Sequence, residues 1–222
     1  EYAKESTLAR ALRFAVNNLA GAPSVVIGLF GFGFFVLFVG QNIDEAAGHG
    51  TVFGRPAMLW AATTLATLMT PMIAATTYAA LQAARLEDKE AARALGASQW
   101  QTVKKVVLPR AFPSIVSGAL FTIGRAFGET APVMFLGAAF FLPQLPVAEV
   151  SVFGFDVPTI NPMSEFMHLG YHLFTLNTRS VDPSASMAQQ YGAAFAMIAV
   201  TMFFNVVAFA FRDRFRKFID RV

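Results

Sequence analysis

The sequence predicts an all-α integral membrane protein, and three observations carry that expectation. Four long stretches are almost free of charge. Phe14–Ile43, Pro56–Ala84 and Pro183–Phe211 contain no Asp, Glu, Lys, Arg or His, and Ala111–Ala148 contains only Arg125 and Glu129. Charged residues make up 14% of the 222-residue chain, against about 25% in an average soluble domain. The Lys and Arg residues, finally, gather in alternate connections between the apolar stretches. Crossing a bilayer takes about 20 mostly apolar residues. A soluble helix of that length keeps a polar face, and these stretches have none.

Taken in order, the stretches predict spans at about 17–40, 57–83, 113–142 and 190–211 within a single domain covering 1–222. The segment before the first span holds Lys4, Arg10 and Arg13. The connection 84–112 holds Arg85, Lys89, Arg93, Lys104, Lys105 and Arg110, and the tail holds Arg212, Arg214, Arg216, Lys217 and Arg221. The other connections, 41–56 and 143–189, hold only Arg55 and Arg179. Basic residues concentrate on the cytoplasmic side. Both termini and the loop 84–112 are therefore expected in the cytoplasm, with 41–56 and 143–189 outside.

Glycine and proline inside the spans suit packed helices. Gly28, Gly31 and Gly33 lie in the first, and Pro71 is expected to interrupt the second. Gly124 and Gly128 form a small-xxx-small pair in the third, where backbones can approach closely. The outer loop 143–189 contains Glu165, His168 and His172, which would share one face of a helix. A metal could use such a face. No partner ligands occur elsewhere, and Phe166, Leu169 and Phe174 make an amphipathic segment at the membrane surface the favoured reading.

Several function classes drop out. With no Cys there is no disulfide, zinc knuckle or thiol nucleophile. No Gly-Lys-Ser or Gly-Lys-Thr occurs, so ATP hydrolysis by a P-loop in this chain is excluded. The low charge content and 24 Phe argue against a disordered chain or a nucleic-acid-binding tail. Where the net charge of +3 sits matters more than its sum. The three His and the outer carboxylates form no nucleophile–base pattern, so no enzymatic activity is expected. Residue 1 is Glu1, and the chain is expected to begin inside a longer product.

Two short segments carry the functional signal. The loop 84–112 reads Glu90-Ala91-Ala92-Arg93-Ala94-Leu95-Gly96, then nine residues beginning at Ala97, then Val106-Val107-Leu108-Pro109. Alanine and leucine favour helix. Gly96 permits a left-handed turn, and Pro109 is expected to end the second helix before the next span. The other segment is Gly124-Arg125-Ala126-Phe127-Gly128-Glu129-Thr130-Ala131-Pro132. On a continuous helix Arg125 and Glu129 are i and i+4 and can pair. With a span starting at 113, Arg125 lies roughly 18 Å in, near mid-membrane. A charge there costs on the order of 3 kcal/mol, so a wet cavity, a partner or a transported ion is implied.

The loop resembles the EAA motif of ABC importer permeases, Glu-Ala-Ala-x3-Gly-x9-Ile-x-Leu-Pro, with Val106 in place of Ile. The second segment resembles the Arg-Ala-Ile-Gly-Glu-Thr-Ala-Pro signature of the A-type permease of the phosphate-specific ABC importer, with Phe127 in place of Ile. Glu1-Tyr2-Ala3, the stretch from Gly21 to Gly31 and Asn205 are similar too. The likeness covers nearly the whole chain and is weakest over 143–189. It implies a type I ABC importer transmembrane domain, present here as the last four of six spans, in a bacterial inner membrane. It implies that Glu90, Ala91, Ala92, Gly96, Ala97, Leu108 and Pro109 couple to an ATPase. Arg125, Glu129 and Thr130 would line the phosphate path, and Gly124, Gly128 and Pro132 would pack helices. Implied partners are a companion C-type permease, two ATPase subunits that use ATP and Mg, a periplasmic phosphate-binding protein and the lipid bilayer. This chain itself would hold no cofactor. Two alternatives are a permease for another oxyanion, sulfate or molybdate, and a non-transporting membrane scaffold that senses phosphate.

Overall fold

The computed structural model describes residues 6–48, 50–83, 86–152, 155–179 and 186–219, with the side chains of 149–152, 155–157 and 216–219 set aside. Glu1-Tyr2-Ala3, Lys4, Arg85 and Arg221 lie outside the described residues. The protein is mostly helical, and four helical stretches are long and apolar enough to cross a membrane: Ser24–Ala47, Met58–Gln82, Gln99–Ala126 and Met187–Phe215.

The chain opens with α1 (Thr7–Ala20), started by Ser6, whose Oγ accepts from the Ala9 amide at 3.1 Å. No residue of α1 is buried, and Leu8, Leu12 and Phe14 point an apolar side outward. The helical stretch long and apolar enough to cross a membrane starts at Ser24 rather than at position 17. Asn17 to Ala20 belong to α1, and Gly21-Ala22-Pro23 separates it from α2 (Ser24–Gly31). Pro23 has no amide to continue α1 and its fixed φ suits the residue before a new helix. Wide π turns over Phe32–Gly40 join α2 to α3 (Gln41–Ala47), so this helix also runs seven residues into the expected outer loop.

α4 (Met58–Gln82) contains Pro71 without interruption. The expected break does not occur. The Thr63 and Thr67 hydroxyls, one to two turns ahead of Pro71, donate back to the Leu59 and Thr63 carbonyls at 2.8 and 2.9 Å. Next come α5 (Leu86–Ala94), α6 (Gln99–Thr102), π turns over Val103–Val107, and α7 (Leu108–Ala126). α8 (Ala131–Met134) is one turn. Pro109 does not stop the second helix. It lies one residue into α7, where the helix runs on from the π turns without a break. Its ring would crowd the carbonyl four residues back, at Lys105, and that carbonyl lies within the wider π turns.

The segment after α8 is more structured than an amphipathic strip. β1 (Ala138–Ala139) pairs in parallel with β4 (Phe166–Met167), and β2 (Val147–Val152) pairs antiparallel with β3 (Phe155–Ile160). Val147, Val150 and Val152 are β-branched, a composition that suits strands. Pro158 is tolerated because a two-stranded sheet consists of edges. α9 (Leu169–Arg179) and α10 (Met187–Ile219) follow.

Two compact units emerge. In one, comprising residues up to Gly21, Met69–Arg125 and Val200 onward, α7 packs on α10: buried Ser117 donates to the Ala208 carbonyl at 3.0 Å, and Phe121 meets Phe209 edge-to-face at 5.3 Å. A Cβ on Gly118 would come within 2.7 Å of Thr76 Oγ1, so the backbone of α7 packs directly on the Thr76 side chain of α4 there. The other unit, Ala22–Leu68 with Ala126–Ala199, has its core in Val36, Ala57, Trp60, Ala61, Val133 and Leu136. There Trp60 stacks on Phe35 and donates its indole N–H to the Phe53 carbonyl at 2.7 Å. Buried Asp44 accepts amide hydrogens from Val52, Phe53 and Gly54 at 3.0, 2.9 and 2.7 Å, which fixes the connection after α3.

Candidate functional site

The first candidate site is a helix–turn–helix built from local signals. α5 ends in a Schellman turn: the Gly96 amide donates to the Arg93 carbonyl at 2.9 Å and the Ala97 amide to the Ala92 carbonyl at 3.0 Å. Gly96 takes φ +83°, a left-handed value that glycine adopts without penalty. One residue later α6 starts with a capping box. Ser98 Oγ accepts from the Gln101 amide at 3.3 Å, and Gln101 Oε1 accepts from the Ser98 amide at 2.8 Å. Only Ala97 separates the two devices.

Of the residues expected to couple, Glu90, Ala91, Gly96, Leu108 and Pro109 are exposed, while Ala92 and Ala97 are half-buried. Leu95 at 89% and Trp100 at 61% exposure stand out beside them. Two apolar side chains this bare, flanking a fixed turn, form a surface suited to a partner. Sequence reasoning missed one connection: Arg110 in the first turn of α7 pairs with Asp88 of α5. Opposite charges 22 positions apart leave no local signal.

The second candidate site lies where α7 stops. The helix ends at Ala126, Phe127 and Gly128 form a turn, and Glu129 and Thr130 precede α8. The expectation that Arg125 and Glu129 lie on one continuous helix is thereby corrected. Pro132, four residues after Gly128, would clash with the Gly128 carbonyl in an unbroken helix, so the break falls ahead of it. Arg125 is exposed in the last turn of α7, where a cation suits the helix dipole. It sits at the far end of the stretch that begins at Gln99 rather than at its middle. Glu129 is half-buried and its amide donates to the Ala126 carbonyl at 3.2 Å.

The expected Gly124–Gly128 pair also divides. Gly124 is buried in α7 against α10, and a Cβ there would lie 3.3 Å from Phe204 Cβ. Gly128 is exposed in the turn. Pro132 is buried and packs on α2, where a Cβ on Gly28 would come within 2.9 Å of Pro132 Cα.

The structure adds residues from the segment after α8 to this break. His168, just ahead of α9, is hydrogen-bonded to the Ala126 backbone, yet its Nδ1 is buried without a partner. Burial pushes its pKa below the usual imidazole value, and the Ala126 bond opposes that only in part. An unsatisfied buried acceptor costs about 1–3 kcal/mol. Gly170, at the start of α9, stands beside both His168 and Thr130. A Cβ built on it would meet Thr130 Oγ1 at 2.8 Å and His168 Nδ1 at 3.4 Å. The available sequence signal was a histidine two residues before a glycine at a helix start.

Glu165, His168 and His172 do not share a helix face, which corrects that expectation. Glu165 precedes β4 and lines an open hollow of about 510 Å³ with Arg55 and Met163. His172 stacks on Phe140 at 4.8 Å, with Nδ1 3.1 Å from the Phe140 carbonyl. Among the described residues no three His, Asp or Glu side chains gather as metal ligands.

One family profile, binding-protein-dependent transport system inner membrane component, matches residues 2–221. The chain belongs to this family. Its members are membrane components of transport systems rather than enzymes. A probable ABC transporter permease protein, YqgI, of Bacillus subtilis is 33% identical over 205 residues, covering 91% of this chain and 64% of the relative. The phosphate transport system permease protein PstA 1 of Mycobacterium tuberculosis is 36% identical over 129 residues, 58% of this chain and 38% of the relative. PstA of Haemophilus influenzae is 35% identical over 135 residues, 61% and 43% respectively. The chain thus spans between about two fifths and two thirds of the length of these relatives. No solved structure matches.

Proposed function

We propose that this chain forms one half of the membrane pathway of an ATP-driven importer of inorganic phosphate. The observation that carries the reading is the stretch Gly124–Pro132. It joins the resemblance to the phosphate permease signature with a helix break that exposes Arg125 and half-buries Glu129 and Thr130. Two relatives named as phosphate transport system permeases support the same substrate.

In this mechanism a periplasmic binding protein delivers phosphate to the outer face of this chain and a companion permease. The guanidinium of Arg125 is always charged and offers paired donors to an oxyanion. Glu129 is its counter-ion and prevents permanent capture of the anion, and Thr130 donates a hydrogen bond. Two ATPase subunits bind ATP and Mg, dock on the turn around Gly96 and rock the spans between outward and inward states. Both ends of the chain are cytoplasmic.

Labelled-phosphate uptake in proteoliposomes holding the assembled complex tests the reading. Arg125→Gln and Arg125→Lys should each abolish most uptake while the complex still assembles. Near wild-type uptake in both variants overturns it.

A further inference from the structure

The helix α1 takes no part in the proposed pathway, and its two sides differ in chemistry. Leu8, Leu12, Ala15 and Leu19 recur at i, i+4, i+7 and i+11, one row along the helix. Arg10, Arg13 and Asn17 occupy the opposite side. α1 holds no Asp or Glu, and Phe14 is its one large apolar side chain off the row. Leu8 is 70% and Leu12 57% exposed, so the row needs a cover. Two observations put that cover at a membrane surface. Only Gly21, Ala22 and Pro23 separate α1 from the apolar stretch Ser24–Ala47, and Ala20 to Ser24 is a reach of at most roughly 14 Å. Independently, the Arg13 guanidinium donates to the Tyr78 hydroxyl at 3.2 Å. Tyr78 lies four residues before Gln82, the end of the stretch Met58–Gln82, which is about 6 Å along the helix. Tyrosine at the end of a span marks the headgroup level.

We propose that α1 is an interfacial helix that binds anionic phospholipid, its leucine row covered by acyl chains and Arg10 placed on the headgroup phosphates. The charge fits: a helix with two arginines and no acid is complementary to an anionic leaflet. Arg10 is exposed, and its flexible stem lets the guanidinium reach headgroups while the helix body stays on the apolar boundary. Half-buried Ala9 and Val16 lie between the two sides and face the rest of the protein. Arg13 borders them, so its bond to Tyr78 fixes how α1 is rotated about its own axis. With that rotation set, the leucine row can meet lipid without α1 leaving the protein.

The test uses the assembled complex in vesicles of equal phosphatidylglycerol and phosphatidylcholine. This chain has no cysteine, so Leu12→Cys or Asn17→Cys carries a fluorophore on a chosen side of α1, with the unsubstituted complex as blank. Acyl-brominated phospholipid should quench the label at position 12 while water-borne acrylamide does not, and the label at position 17 should show the reverse. Ala15→Cys repeats the first reading with both leucines in place. Brominated phosphatidylglycerol should quench the label at position 12 more than brominated phosphatidylcholine does. Arg10→Gln should reduce that preference by about fivefold, the scale of one basic residue at an anionic surface. Acrylamide quenching at positions 12 and 15 puts the row in water, and quenching by neither agent puts it under protein. Either result overturns the inference. So does equal quenching by the two brominated lipids, or a preference that Arg10→Gln leaves unchanged. None of these readings depends on which ion is transported.

Discussion

Arg110, in the first turn of α7, forms an ion pair with Asp88 of α5, so the start of a long apolar helix is tied to the short helix that leads into Gly96. The side chains are 43% and 25% exposed. Partly exposed pairs contribute little to stability, about 0–1 kcal/mol. Arg110→Ala should therefore shift the melting temperature only slightly. If α5 receives the ATPase, the same change should lower phosphate moved per ATP, and the reversed pair Asp88→Arg with Arg110→Asp should restore it. Paired uptake and hydrolysis assays read both effects.

Gly96 tests the turn itself. Nothing lies within 4 Å of a Cβ added there, so only the φ of +83° resists a side chain. Gly96→Ala should cost about 1–2 kcal/mol through backbone strain alone. Gly96→Asp adds a charge to the exposed turn and should uncouple hydrolysis from transport or release the ATPase subunits. Retention of the ATPase on the purified membrane complex, measured for both variants, separates strain from docking.

Asp44 anchors the connection after α3 through three backbone amides. Asp44→Ala leaves those donors without a carboxylate and should destabilise the protein by on the order of 3 kcal/mol. Asp44→Asn keeps one acceptor oxygen and should lose less. Thermal melts in detergent give the order of the three proteins.

His168 makes stability depend on pH. Its folded pKa lies below the ordinary value of 6.5 because burial disfavours the charged ring. As pH falls below 6.5 the unfolded chain takes up this proton first and is favoured. Stability is undiminished above that pH, declines below it, and levels off once the folded value is passed. His168→Asn removes this contribution, so its melting temperature should fall less than that of the wild type between pH 8 and pH 5.

What the sequence made visible follows from how locally each signal is encoded. The absence of charge marks Met58–Gln82 and Met187–Phe215 directly, because bilayer crossing is a matter of composition and length. The turn at Gly96 is legible for a similar reason: glycine, Ser98 and Gln101 act within a few residues of one another. Hydropathy is silent on whether an apolar stretch is one helix or two. Hydropathy alone thus places Asn17 to Ala20 in the first span and carries the third through Glu129, whereas Asn17 to Ala20 belong to α1 and α7 ends at Ala126. Gly128 and Pro132 held the information about that break. Proline is an ambiguous guide, since Pro71 and Pro109 both sit inside helices. The approach of Gly170 to Thr130 joins positions far apart in the chain, and only the tertiary structure reveals it.

The single residue between the Schellman turn and the capping box has a consequence for chain length. The few residues between two helices fix the direction in which the second leaves the first, so an added residue there re-aims everything after it. An insertion on either side of Ala97 would separate the stop of α5 from the start of α6 and swing Trp100 away from Leu95. The motif's spacing is thus a phase relation: its exposed side chains can vary one at a time, whereas its residue count cannot.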